Sequence, residues 1–182
     1  MLTYPPVYAA NLRLRNLGAQ HPRRIARAWR SRASYAEGVD TVTRLSRTVA
    51  SCGLAAAGAL HAVWALGSPW PAGSARELNE LVVGNGEVAP GTAATWLVCG
   101  SALAGAAVAA GAMGDRPLAV WGRRIAGAAL LARAALGGNA ALRVLGLPPG
   151  GDRFTRLDRR YYRALFAVLG AALVLGARRS PS

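Results

Sequence analysis

Two side chains stand in apolar surroundings where a polar group could do chemistry. Arg133 is the lone charge inside Arg124-Ile-Ala-Gly-Ala-Ala-Leu-Leu-Ala-Arg133-Ala-Ala-Leu-Gly-Gly-Asn139. A guanidinium keeps its charge and offers five N–H donors in a fixed fork, so it suits an anionic or carbonyl-bearing ligand. A charge near the middle of such a run is costly, and it turns toward a partner or a cavity. The acceptors within reach of this reading are Asp158, Glu80, or backbone carbonyls near Gly67 and Gly137. His61 lies in a second apolar run and could transfer a proton or ligate haem. The other histidine, His21, is far off near the N-terminus, so no haem or other cofactor is expected. The structural alternatives are an arginine that pins loop ends and a satisfied core histidine.

Other chemical templates fail. The chain has no GxSxG, no HExxH, no pair of carboxylates within an apolar run and no Gly-rich phosphate loop. Cys52 and Cys99 fall in different runs, toward opposite faces, and read as two small buried apolar residues without a disulfide. No Cys/His cluster suggests a metal.

The elements that must position Arg133 and His61 are long and apolar. Crossing hydrocarbon takes roughly 20 residues in a helix. Four segments approach or exceed that length, at about 48–66, 92–113, 121–144 and 161–177. The second carries no charge, which a soluble amphipathic bundle would not allow. The predicted fold is all-α: a four-transmembrane-helix bundle (residues 47–179) with a basic N-terminal tail (residues 1–46). Between the first two spans, Arg76 faces Glu77, Glu80 and Glu87, and a short surface helix is expected from Ala75 to Val83. Gly122, Ala126, Ala129, Arg133 and Gly137 recur at helical spacing, so Arg133 is expected on a small-residue face that packs inward. Small-xxx-small pairs at Gly53/Ala57, Gly58/Ala62, Gly100/Ala104 and Gly105/Ala109 point to close helix packing.

The net charge is +14, and all 22 basic residues are arginine. They cluster in the tail and beside apolar runs, with few aromatics between them. That pattern fits membrane topology and excludes a nucleic-acid partner. The tail stretch Arg23–Arg32 reads as disordered or as a weak amphipathic helix that contacts anionic lipid. An alternative is a translation start near Val39 or Val42. Arginine placement predicts a multi-pass protein of the cell membrane with both termini cytoplasmic, although the basic segment Arg143–Arg163 then falls outside. Trp64, Trp70, Trp96, Tyr161 and Tyr162 fall near one expected interface, as an aromatic belt does.

Three stretches together resemble a family of small bacterial membrane proteins, the domain of unknown function DUF3995. His61-Ala-Val-Trp64-Ala-Leu-Gly67-Ser-Pro-Trp70 resembles its H-x-x-W-A-x-G-x-x-W pattern. Arg133-Ala-x-x-Gly137 looks like its arginine-centred third helix. Phe154-x-x-Leu157-Asp158-x-Arg160-x-Tyr162 is similar to its motif before the last helix. The resemblance covers residues 47–177 and implies a four-helix membrane protein without a known reaction. It departs from the family pattern after Tyr162, where Arg163-Ala164-Leu165-Phe166 replaces Ser-Pro-Leu-Cys.

The sequence reading is an integral membrane protein that binds a small anionic or lipid-like ligand between its helices. The expected lining is His61, Trp64, Glu80, Arg133, Asn139, Asp158, Arg160 and Tyr162. The alternatives are an intramembrane enzyme, redox-linked, that uses His61 and Arg133, and an accessory subunit that docks on a protein partner through its tail.

Overall fold

The computed structural model describes residues 37–178. The stretch Arg23–Arg32, His21 and Arg179 lie outside these. Glu37–Thr41 belong to one compact unit; everything below concerns the other, which begins at Val42. Every regular element among the described residues is helical. The elements are α1 (Glu37–Ala65), α2 (Ala75–Val82), α3 (Thr92–Ala110), α4 (Pro117–Leu136), α5 (Gly138–Val144), α6 (Asp152–Leu157), a π-helical turn (Asp158–Tyr162) and α7 (Arg163–Gly176). α1 and α3 are long and apolar enough to cross a membrane. A third crossing exists if the bent pair α4–α5 counts as one.

The third apolar run is not the single helix expected over 121–144. α4 starts at Pro117, a residue preorganised for a first helical turn, and stops at Leu136. Gly137 takes φ 85°, a backbone conformation open to glycine, while its N–H still bonds the Arg133 carbonyl. The chain then leaves as α5 at 113° to α4. Arg133 is therefore in the last turn of α4 and not near mid-span. Its positive charge there complements the negative end of the helix dipole.

The fourth run starts earlier than residue 161. α6, the π turn and α7 share right-handed helical backbone angles at their junctions and run on as one rod over 152–176. In the π turn the Arg163 N–H bonds the Asp158 carbonyl, five residues back.

Small residues let the helices close on one another. A side-chain carbon at Gly127 would lie 2.8 Å from the Gly170 carbonyl, and one at Gly170 would lie 2.8 Å from the Gly127 carbonyl, so α4 and α7 cross at backbone contact. Gly53 of α1 sits under Leu169 of α7. Gly58 faces Leu103 and the Cys99 carbonyl of α3, and Gly105 of α3 faces Leu54 of α1. Gly100, the remaining glycine of the expected small pairs, meets open space. The α4 face that packs runs through Ala119, Val120, Arg123 and Gly127, all buried. Gly122, Ala126 and Ala129 are exposed, so the expected small face was about one residue out of phase. Ala and Gly occupy nearly every face of α4, which leaves spacing alone unable to choose among them.

The core is built of Ala50, Ala109, Ala172 and Leu173, with Leu54 and Leu130 against it. Large apolar side chains are turned outward instead: Leu97, Leu118, Ile125, Leu136 and Val144 are each at least 65% exposed. Leu142, Phe154, Leu169 and Leu173 stay inside, but the extent of the exposed apolar exterior fits a bundle that contacts lipid.

Candidate functional site

The break after α4 and the π turn before α7 face each other, and Asp158 joins them. Arg133 Nη2 donates to Asp158 Oδ1 at 2.7 Å. The other carboxylate oxygen accepts from the Gly138 N–H at 2.8 Å. Asp158 therefore satisfies a backbone donor exposed by the break and also neutralises the arginine just before it. Only 6% of Asp158 is accessible.

A second arginine completes the cluster. Arg163 Nε lies 3.8 Å from Asp158 Oδ2, and its Nη2 donates to the Ala135 carbonyl at 2.8 Å. In an α-helix, residues five apart sit ~140° apart around the axis. The wider π turn brings Asp158 and Arg163 to the same side, toward α4. The Arg163 guanidinium occupies the space that a side chain at Gly137 would need. Two guanidinium groups and one carboxylate leave the cluster with one net positive charge. Two of its buried N–H nitrogens, Arg133 Nη1 and Arg163 Nε, make no hydrogen bond among the described residues. The Arg133 head also stacks over the Phe166 ring, 4.8 Å from its centre.

Phe154 holds the site from behind. Its ring is wedged against Gly84, Gly138 and Gly150, and it is 3% exposed. A bulkier residue at any of the three would displace it. The ring lies 6.3 Å from that of Tyr162. Tyr162 donates to the Leu81 carbonyl at 3.2 Å and so ties α2 to the π turn. Asn139 Oδ1 accepts from the Gly150 N–H at 2.9 Å, and the Gly151 N–H donates to the Gly84 carbonyl at 2.9 Å. α2 itself begins with a capping arrangement: Ser74 accepts from the Glu77 N–H, and Glu77 accepts from the Gly73 N–H. That backbone N–H, with Arg153 next, holds the Glu77 carboxyl below its ordinary pKa.

Of the eight residues expected to line a site, Arg133, Asn139, Asp158 and Tyr162 belong to this neighbourhood. The other four do not. Glu80 pairs with Arg76, which also reaches Glu87. Arg160 is exposed and lies over the Tyr161 ring. His61 Nδ1 is 2.8 Å from the Ala57 carbonyl on its own helix, and its ring lies 4.8 Å from that of Trp64. Trp64 donates to the Trp70 carbonyl. No hydrogen bond, ion pair or ring contact joins His61 or Trp64 to Arg133 or Asp158 among the described residues. Both cysteines are free; Cys99 is buried as expected, whereas Cys52 is exposed.

A second charged cluster at the other end of α4 was not anticipated. Arg123 is 1% exposed, yet its donors are satisfied by the Val108 carbonyl, the Gly114 carbonyl and Asp115. Asp115 also pairs with Arg47 of α1, whose Nε donates to the Gly176 carbonyl at the end of α7. One carboxylate thus links α1, α4 and the α3–α4 turn, and Arg47 adds α7. Burial pushes the Asp115 carboxyl up, but hydrogen bonds from Arg123 and Arg47 outweigh it and leave the pKa below its ordinary value. Nothing in the sequence spacing of Arg123 marks it as buried.

These features define a protein whose described elements are all helical, with two or three helices long and apolar enough to span a membrane, and an Arg–Asp–Arg cluster around the buried Asp158 at a helix break. The chain belongs to the DUF3995 family, described as protein of unknown function, whose profile matches residues 54–173. The Arg133–Asp158 cluster lies wholly within that region, whereas Arg47 and Gly176 lie outside it. No curated protein and no solved structure matches the chain.

Proposed function

We propose that the chain is a four-span protein of the cell membrane that holds a small anionic or carbonyl-bearing ligand at the Arg133–Asp158–Arg163 cluster. α1, α3, α4 and α7, the last part of the rod over 152–176, are the four spans, with both termini cytoplasmic. α4 alone reaches ~30 Å, the thickness of the hydrocarbon layer, so α5 is free to turn along the outer surface. The observation that carries the ligand reading is the imbalance inside the cluster. One carboxylate serves two guanidinium groups, and two buried N–H nitrogens lack an acceptor. Such groups are costly unless something accepts from them.

The test is thermal unfolding of the full chain in a nonionic detergent, titrated with octanoate, 2-octanone and 1-octanol. Octanoate or the ketone is expected to raise the melting temperature, and the alcohol is not. Replacing the pair together (Arg133→Met with Asp158→Asn) should remove the response. A melting temperature indifferent to both octanoate and the ketone would overturn the reading. Topology is checked with an impermeant maleimide on single cysteines placed at Arg116 and Asp152 in a C52S/C99S background. Labelling at Asp152 alone is expected on intact cells; equal labelling at both sites would sink the orientation.

A further inference from the structure

We infer that the occupant of this cluster is the phosphate of an anionic membrane-lipid headgroup, with Arg163 as its outer contact. The inference rests on the ligand reading above and narrows it to one chemistry. Depth comes first. Arg163 is fastened to the Ala135 carbonyl, in the last turn of a helix about as long as the hydrocarbon layer is thick. That places its guanidinium where acyl chains give way to phosphates.

Accessibility points the same way. The three charged groups are graded from inside to outside: the Asp158 side chain is 9% exposed, Arg133 18% and Arg163 37%. Arg163 is thus the member a ligand meets first. On the same stretch of α4 and α7, Leu136 and Leu165 are exposed, at 70% and 52%. An acyl chain could lie on them while its phosphate meets the guanidinium.

Charge supplies the third reason. The cluster carries one uncompensated positive charge. Of the nearby acids among the described residues only Asp152, exposed at the start of α6, is unengaged, and it makes no ion pair with Arg133 or Arg163. Glu77 pairs with Arg153, and Glu80 and Glu87 pair with Arg76. Asp158 has both oxygens in use. An anionic headgroup would supply the missing counter-charge at the exposed side of Arg163. Guanidinium binds phosphate oxygens through charge-assisted hydrogen bonds, and it can use two at once. A neutral carbonyl ligand would satisfy a donor but leave the charge.

The experiment uses the full chain in lipid nanodiscs of phosphatidylcholine, with phosphatidylglycerol, or inorganic phosphate, as the added probe. Phosphatidylglycerol is expected to raise the melting temperature in a saturable way, and inorganic phosphate at millimolar levels is not. Arg163→Gln should weaken the phosphatidylglycerol response about tenfold, the loss of one charge-assisted hydrogen bond. Arg163→Lys should restore part of it. Arg156→Gln, which removes an exposed charge elsewhere on α6, should leave it unchanged. An equal loss in the Arg156 variant would mean general surface attraction and overturn the proposal. So would a response to inorganic phosphate alone. If octanoate acts through Arg133 and phosphatidylglycerol does nothing, the ligand reading stands and the lipid assignment falls; if neither acts, both fall.

Discussion

Asp158 holds Arg133 with one carboxylate oxygen and the Gly138 N–H with the other, at 2.7 and 2.8 Å. One side chain thus settles two debts of the same helix break. It neutralises the last charged residue of α4 and satisfies the first N–H of α5. The break and the charge explain each other: without Gly137 turning the chain, Arg133 would sit in mid-span with no acid at its depth.

Breaking this pair from one side is expected to be more harmful than removing it whole. Asp158→Ala strands a mostly buried guanidinium and the Gly138 N–H, which should cost about 3 kcal/mol. Arg133→Met combined with Asp158→Asn leaves an amide oxygen for Gly138 and no guanidinium at 133, while the half-exposed Arg163 loses its counter-charge but keeps its bond to the Ala135 carbonyl. That double variant should recover much of the loss. The check is a double-mutant cycle on reversible unfolding in detergent; additive losses would mean the two residues do not act as a pair.

Gly127 and Gly170 are expected to tolerate no side chain. A carbon at either meets the other helix's carbonyl at 2.8 Å, and both contacts are with backbone. Gly127→Val or Gly170→Val should force α4 and α7 apart and destabilise by about 1–3 kcal/mol, the range for overpacking. Gly100→Ala on α3 is the control, because a carbon there meets nothing within 4 Å. It should be neutral or stabilising by up to about 1 kcal/mol. Melting temperatures of the three variants decide the point.

The positions of the helices were largely legible in the sequence, because apolar length and Gly/Pro punctuation are local signals. α3 begins at the expected Thr92, and α2 spans Ala75–Val82 where a short helix over Ala75–Val83 was expected. The partner of Arg133 was legible too, since Asp158 and Glu80 were the only acids put forward. What stayed hidden depends on geometry that spacing does not encode. Gly137 was put forward as a break, but the run over 121–144 was expected as one span, and spacing gave no sign that the chain turns by 113° there. The π turn adds a residue to one turn and brings Arg163 beside Asp158, where helical spacing would place it elsewhere. Phe154 stood in a quoted motif, but its role depends on three glycines, at 84, 138 and 150, that meet only in the fold.

Asp115 is expected to give stability a pH dependence in the acid range. Its folded pKa lies below the ordinary carboxylate value of 3.8 because Arg123 and Arg47 outweigh its burial. A depressed folded pKa means the charged form favours the folded state. The contribution is complete above the unfolded pKa and is lost as pH falls through the folded one. Asp115→Asn should therefore lower the melting temperature near neutrality and narrow the gap to wild type as pH drops below about 4. A gap that stays constant across that window would mean the carboxylate's charge is not what matters.

Tyr162→Phe is expected to loosen α2 without disturbing the Arg133–Asp158 pair. The hydroxyl donates to the Leu81 carbonyl near the end of α2, and the ring itself lies beside Phe154. Removing only the oxygen keeps the ring and frees one carbonyl, a loss of about 0.5–1.5 kcal/mol. α2 has no buried residue of its own, so this bond, the Glu77–Arg153 pair and the Gly84–Gly151 bond are what fasten it. Amide hydrogen exchange over residues 75–83 should quicken severalfold, while exchange over α4 and α7 stays as it was. Faster exchange in α4 as well would show that Tyr162 supports the cluster itself, and unchanged exchange in α2 would show that the other two contacts suffice.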